Sequence, residues 1–188
     1  MENLIAEKTV NSYTIKIYQD NDPTDPREWD NLGKMVCFHR GYSLGDEKEF
    51  KDPEDFQEYL QKNHKKIIYL PLYLYDHSGI TISTKPFSCQ WDSGQVGYIY
   101  ITYEDIRKEY NTKKVTKEIK EKVLAILKLE VEIYDRYLTG QVFGFVVEDN
   151  KGEVIDSCWG YFDTPEEIIE YVEETVVKYY DYQLEISL

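Results

Sequence analysis

Residues 13–19 read Y-T-I-K-I-Y-Q, an alternation of apolar and polar positions rich in β-branched and aromatic side chains. A period of two in such residues predicts a strand with one buried face. Short strands are predicted in the same way over residues 34–39 and over 96–102 (V-G-Y-I-Y-I-T). Residues 67–75 and 80–84 are joined by Asp76-His77-Ser78-Gly79, and residues 141–148 and 153–161 by Asp149-Asn150-Lys151-Gly152. Each pair predicts a β-hairpin whose glycine supplies the unusual turn dihedrals. Pro71 has no N–H to give a ladder, which places its run at a sheet edge or a bulge. Residues 20–33 hold two prolines and five acids, a composition that sustains neither ladder nor helix.

Helical signals have a different period. Asp52-Pro53-Glu54-Asp55 places an N-cap, a first-position proline and two acids at the positive end of a helix running to about residue 63. Thr102-Tyr103-Glu104-Asp105 caps a short helix reaching residue 110. From about 116 to 138, Ile119, Val123, Ile126, Leu127, Ile133, Tyr134 and Tyr137 fall mostly at steps of three and four, an apolar stripe interrupted once by Glu130. Thr164-Pro165-Glu166-Glu167 is the strongest cap, opening a helix to about residue 181 with Ile168, Ile169, Val172, Val176 and Tyr179 on its apolar face.

These elements predict one α+β domain over residues 1–188, a mainly antiparallel sheet built from hairpins with three to four helices packed on it. A faint internal echo pairs residues 67–110 with 141–181: strand, glycine turn, strand, a Ser-Cys pair with a nearby Trp (Ser88-Cys89-Gln90-Trp91, Ser157-Cys158-Trp159), then a capped helix. Hairpins with glycine turns recur in unrelated folds, so the echo does not require a duplication.

Composition narrows the setting. No stretch approaches the roughly 18 to 20 apolar residues of a membrane span, and the first seven residues are too acidic for a signal peptide, so no membrane association and a cytoplasmic location are expected. Cys37, Cys89 and Cys158 are an odd number in such a chain and read as reduced thiols. A net charge of −14 repels phosphate before contact, which argues against direct nucleic-acid binding. That charge is uneven: residues 1–60 carry 14 acids against 7 bases, residues 61–137 carry 10 against 13, and residues 138–188 carry 12 against 2.

On the last predicted helix Glu166, Glu167, Glu170, Glu173, Glu174 and Asp181 recur at steps that place most of them along one face, with Lys178 the cation among them. An amphipathic helix has a solvated face in any case. An unrelieved carboxylate row can also imitate a phosphate backbone and occupy a cationic groove. Eighteen tyrosines, a residue favoured at interfaces, point the same way.

Candidate chemistry lies elsewhere. Cys37, His39, His77 and Cys89 form a conceivable zinc set, although C-x2-C and H-x3-H spacings are absent. Cys89 with His39 or His77 is the pairing to examine for a thiol nucleophile, with Asp92 close by in sequence. No P-loop, G-x-G-x-x-G, H-E-x-x-H or EF-hand loop occurs, so no cofactor is indicated.

Two blocks stand out: P-R-E-W-D-N-L-G-K-M-V-C-F-H-R at residues 26–40, continuing to Leu44-Gly45-Asp46, and P-F-S-C-Q-W-D-S-G-Q-V-G at residues 86–97. They resemble a family of bacteriophage and mobile-element proteins without an assigned activity, over about residues 13–161. Small acidic proteins of mobile elements often resemble inhibitors of host defence, including antirestriction and anti-CRISPR proteins that imitate DNA. The resemblance implies a mobile-element setting in a host cell; with the asymmetric charge, the expectation is an accessory protein that binds a basic surface of a nucleic-acid enzyme. The alternative is a small hydrolase or metal-dependent enzyme with a pocket formed by the 26–46 and 76–97 blocks, where Trp29, Cys37, His39, Arg40, Asp46, His77, Cys89, Trp91 and Asp92 are the residues to inspect. A homodimer stays open.

Overall fold

A computed structural model describes residues 3–185. Its class is α+β, with two antiparallel sheets of four strands each. The chain divides into two compact units: residues 25–139 form one, and the segments before and after them together form the other. The single expected sheet is thus two sheets, each with its own core.

In the central unit, β1 (Lys34–Cys37), α1 (Pro53–Asn63), β2 (Ile67–Asp76), β3 (Ile80–Ser83), β4 (Ser93–Thr102), α2 (Tyr103–Glu109) and α3 (Lys117–Leu138) follow one another. The sheet order is β1-β4-β2-β3. Alternate residues of its strands serve opposite faces. Met35, Leu72, Ile99 and Ile101 pack with Val123, Leu127, Val131 and Tyr134 of α3. Val36, Ile67 and Tyr100 pack with Phe56 and Leu60 of α1. At the close approach of β1 to β4, a side chain on Gly97 would put its Cβ 1.9 Å from the Val36 carbonyl oxygen. Pro71 lies in an inner strand, but β3 pairs only from Tyr73 onward and the register slips between Leu72 and Tyr73, so the expected bulge is there.

The interruption at Glu130 has a structural cause. Asp25 caps a single 3-10 turn, Pro26–Glu28, that sends Arg27 inward to 6% exposure. Arg27 Nη1 donates to Glu130 Oε2 at 3.1 Å, and Nη2 donates to Asp46 Oδ2 at 3.0 Å and to the Gly33 carbonyl at 2.6 Å. Glu130 also accepts from the N–H of Leu32 and of Gly33, and Asp46 from that of Met35. One guanidinium and two carboxylates thereby join the 20–33 connection, the start of β1 and the middle of α3.

The other unit holds β5 (Leu4–Val10), β6 (Tyr13–Gln19), β7 (Phe143–Glu148) and β8 (Val154–Tyr161), followed by α4 (Pro165–Val172), a π-helical turn (Glu173–Val177) and α5 (Lys178–Glu185). The spatial order equals this numbering, β5-β6-β7-β8. Residues 4–10 (L-I-A-E-K-T-V) have no clean alternation because β5 is a largely exposed edge, and no strand was expected there. Tyr13, Ile15, Ile17, Phe145 and Val147 meet Ile168, Val172 and Val177. The π turn corrects the expected apolar face. An i to i+5 turn inserts one residue, so burial steps from Val172 to Val177 while Val176 is only partly buried and Tyr179 is exposed.

The two Ser-Cys pairs of the internal echo occupy different places: Ser88-Cys89 lies in the loop between β3 and β4, and Ser157-Cys158 within β8. Among the described residues no helix is long and apolar enough to cross a membrane.

Replacing Glu130 by Ala strands a buried guanidinium, and the loss expected is about 3–5 kcal/mol in urea denaturation; a loss under ~1 kcal/mol would show that the network holds nothing. Burial pushes the Tyr134 hydroxyl up to about 12, and burial beside Glu47 raises Tyr100 further. Unfolded tyrosine loses its proton near pH 10 and the folded groups later. The stability these groups contribute is complete below about pH 10 and falls as pH rises toward 12. Alkaline unfolding of Tyr134→Phe is accordingly expected to begin at higher pH than that of the parent.

Candidate functional site

The two blocks contribute differently. The first supplies Arg27, Gly33 and Asp46 to the buried network, and so accounts for much of its own distinctiveness by folding. Its remainder, His39, meets the second block at one end of the central sheet.

There the backbone N–H of Asp76, at the end of β2, donates to the Asp92 carbonyl at 2.8 Å, which holds the 84–92 loop beside the hairpin. The Asp92 carboxylate is shared: His77 Nδ1 lies 3.3 Å from Oδ2, and the Cys89 thiol donates to the same oxygen at 3.5 Å. Ser93 Oγ donates to the Cys89 carbonyl and tightens the loop. Opposite, His39 stacks on Tyr42 with ring centres 5.0 Å apart, and the Tyr42 hydroxyl donates to Asp76 Oδ1 at 3.2 Å. His39 Nδ1 accepts from the N–H groups of Gly41 and Tyr42, which leaves its ring proton on Nε2. A cleft of about 420 Å³ lies among Phe38, His39, Asp76, Trp91, Asp92 and Gln95. Trp91 stands beside it at 96% exposure.

His39, Trp91 and Asp92 therefore line one cleft, with His77 and Cys89 bonded to Asp92 behind it. Thiol catalysis needs an imidazole on the sulfur. Here thiol and imidazole bond to one carboxylate, and no hydrogen bond joins Cys89 to His39 or His77. The arrangement offers an indole face, a ring N–H and carboxylate acceptors. Cys37 sits in β1, where burial pushes its thiol up to about 12. The candidate zinc set is not assembled: among the described residues, no three His, Cys, Asp or Glu are grouped to hold a metal ion. Arg40 is exposed and Trp29 lies back in the first block's turn region. Tyr42 and Asp76 are members that sequence pattern missed, since each is joined to the cluster only by the pairing of distant segments.

The carboxylate row on the last helix is more varied than its spacing implies. Glu167 closes a capping box with Thr164, accepting from its N–H at 2.9 Å and its hydroxyl at 2.8 Å. Past Val172 the π turn rotates the helix, bringing Glu173 onto Lys8 of β5. Asp181 accepts from Asn11 Nδ2 at 2.7 Å, and Glu174 lies 3.8 Å from Lys178. Glu166 and Glu170 are exposed without an ion-pair partner among the described residues. Beside them Tyr171, Tyr179 and Tyr182 are half or more exposed.

Divided by unit, the charge is sharply segregated. The unit built from the two chain ends carries 16 acids and 4 bases, a net −12, and the central unit 20 acids and 18 bases, a net −2. No protein-family model, curated protein or solved structure matches the chain.

The thiols give a direct check of this geometry. In the folded protein a chromogenic disulfide reagent is expected to modify exposed Cys158 readily and the partly buried Cys37 more slowly, the difference vanishing once denaturant is added; modification of both at one rate in the folded protein would contradict this geometry.

Proposed function

We propose that the protein acts by binding, and that its acidic unit docks on a basic surface of a macromolecular partner. The observation that carries this reading is the segregation of charge, −12 against −2 in two units of one chain. A solubility requirement alone would distribute acids over both. Like-charge crowding costs stability, and a cationic partner would relieve it. The exposed tyrosines of the last helix support the same face, because tyrosine gives rigid contact area with a hydroxyl at one end. The resemblance to mobile-element proteins extends the proposal to a nucleic-acid enzyme of a host cell. Mimicry of a DNA backbone would rest on Glu166, Glu170 and Glu174, since Glu167, Glu173 and Asp181 already serve the fold.

An enzymatic reading would rest on Asp92, His77 and Cys89 beside the cleft. The shared carboxylate favours recognition there over thiol attack.

Affinity capture with the parent protein and with Glu166→Gln/Glu170→Gln/Glu174→Gln tests the binding reading. The parent is expected to retain a basic protein that is released as salt rises, and the triple variant to retain several-fold less of it. Equal recovery at every salt concentration would remove these carboxylates from the interface.

A further inference from the structure

A cleft of about 530 Å³ in the central unit lies on the α1 face of its sheet beside α2. Its floor is aromatic. Phe50, Tyr59 and Tyr100 line it, with ring centres 5.2 Å apart for Phe50 and Tyr59 and 6.0 Å for Tyr59 and Tyr100. The floor is held from beneath by the buried carboxylate of Glu47. Its Oε2 accepts from the Tyr100 hydroxyl at 3.3 Å, and its Oε1 accepts from the Glu49 N–H at 2.9 Å. The cleft is thus preformed.

Its rim carries Lys34 and Lys108 against Glu49, Asp105 and Glu109. Both cations are already engaged. Lys34 Nζ is 3.6 Å from Glu47 Oε2, and Lys108 Nζ is 3.1 Å from Glu104 Oε1 and 3.8 Å from Asp105 Oδ1. Glu49 and Glu109 are exposed, and neither has an ion-pair partner among the described residues. An anionic ligand would have to compete with Glu47 and Glu104 for the lysines. A cationic one would find aromatic faces and two uncompensated carboxylates at once.

We infer that this cleft binds an organic cation, an ammonium or guanidinium on an aliphatic stem. The stem would lie on the Phe50 and Tyr59 rings, whose negative faces attract the charged end. Glu49 and Glu109 would take up that charge. The site belongs wholly to the central unit and does not rest on the acidic unit's role. Two sources share the chemistry: a free polyamine-like cation, or an arginine or lysine side chain of a protein.

Calorimetric titration of the full chain with agmatine, with a short arginine peptide capped at both ends, and with adenosine monophosphate tests this. Saturable binding of agmatine or of the peptide, with none of the nucleotide, is expected. The tighter of the two cations then names the source. Glu49→Gln/Glu109→Gln is expected to weaken cation binding roughly tenfold, and Tyr59→Leu several-fold. Both carboxylates are exposed, so the double variant keeps its fold, which circular dichroism checks. Preference for the nucleotide, absence of cation binding, or equal affinity in the parent and the double variant would each overturn the inference.

Discussion

The central unit depends on a single buried guanidinium. Arg27 can be removed from water only because two carboxylates and a carbonyl meet it there, and those groups come from a turn, a loop and the middle of α3. Neither the turn nor the loop has a strong structural preference of its own. Joined by the charge, the 20–33 connection is ordered, β1 enters the sheet in register, and α3 is fixed along its length. A buried ion pair contributes little to stability when compared with a well-packed apolar substitute, yet it tolerates no half-made alternative. Its effect is to specify one arrangement.

That arrangement in turn sets the chemistry of the two clefts. With β1 in place, His39 leaves the strand where Tyr42 can reach Asp76, and Asp92 can hold both His77 and Cys89. On the other face, Tyr100 of β4 is held by Glu47 at the base of an aromatic floor. Both clefts present carboxylates and ring faces. The acidic unit adds charge of one sign.

Much of this was legible in the sequence because it is local. Period-two runs give the strands over residues 13–19 and 96–102, an apolar run before a glycine turn gives the one over 67–75, and Thr164, Asp52 and Thr102 mark three helix starts through hydrogen bonds to residues three positions on. What escaped is nonlocal. Glu130 reads as a flaw in a stripe until Arg27, more than a hundred positions upstream, is beside it. The π turn is set by the sheet beneath it, which requires Val172 and Val177 together, and no propensity marks that demand. Strand β5 has an edge to itself and so no alternation to show. In the candidate site, His39, His77, Cys89 and Asp92 were singled out by residue type, but Tyr42 and Asp76 take their meaning from strand pairing alone.

The pairing of β6 with β7 joins Gln19 to Phe143, with the whole central unit lying between them in the chain. Every contact that builds the central unit is available to a growing polypeptide before β7 exists. The acidic unit, by contrast, must wait for its second half and close a very long loop to form. During synthesis the two units are therefore expected to fold in sequence, the middle of the chain before its ends. A chain cut short between residues 139 and 143 could still hold the central sheet, but it would lack the surface on which most of the net negative charge is displayed.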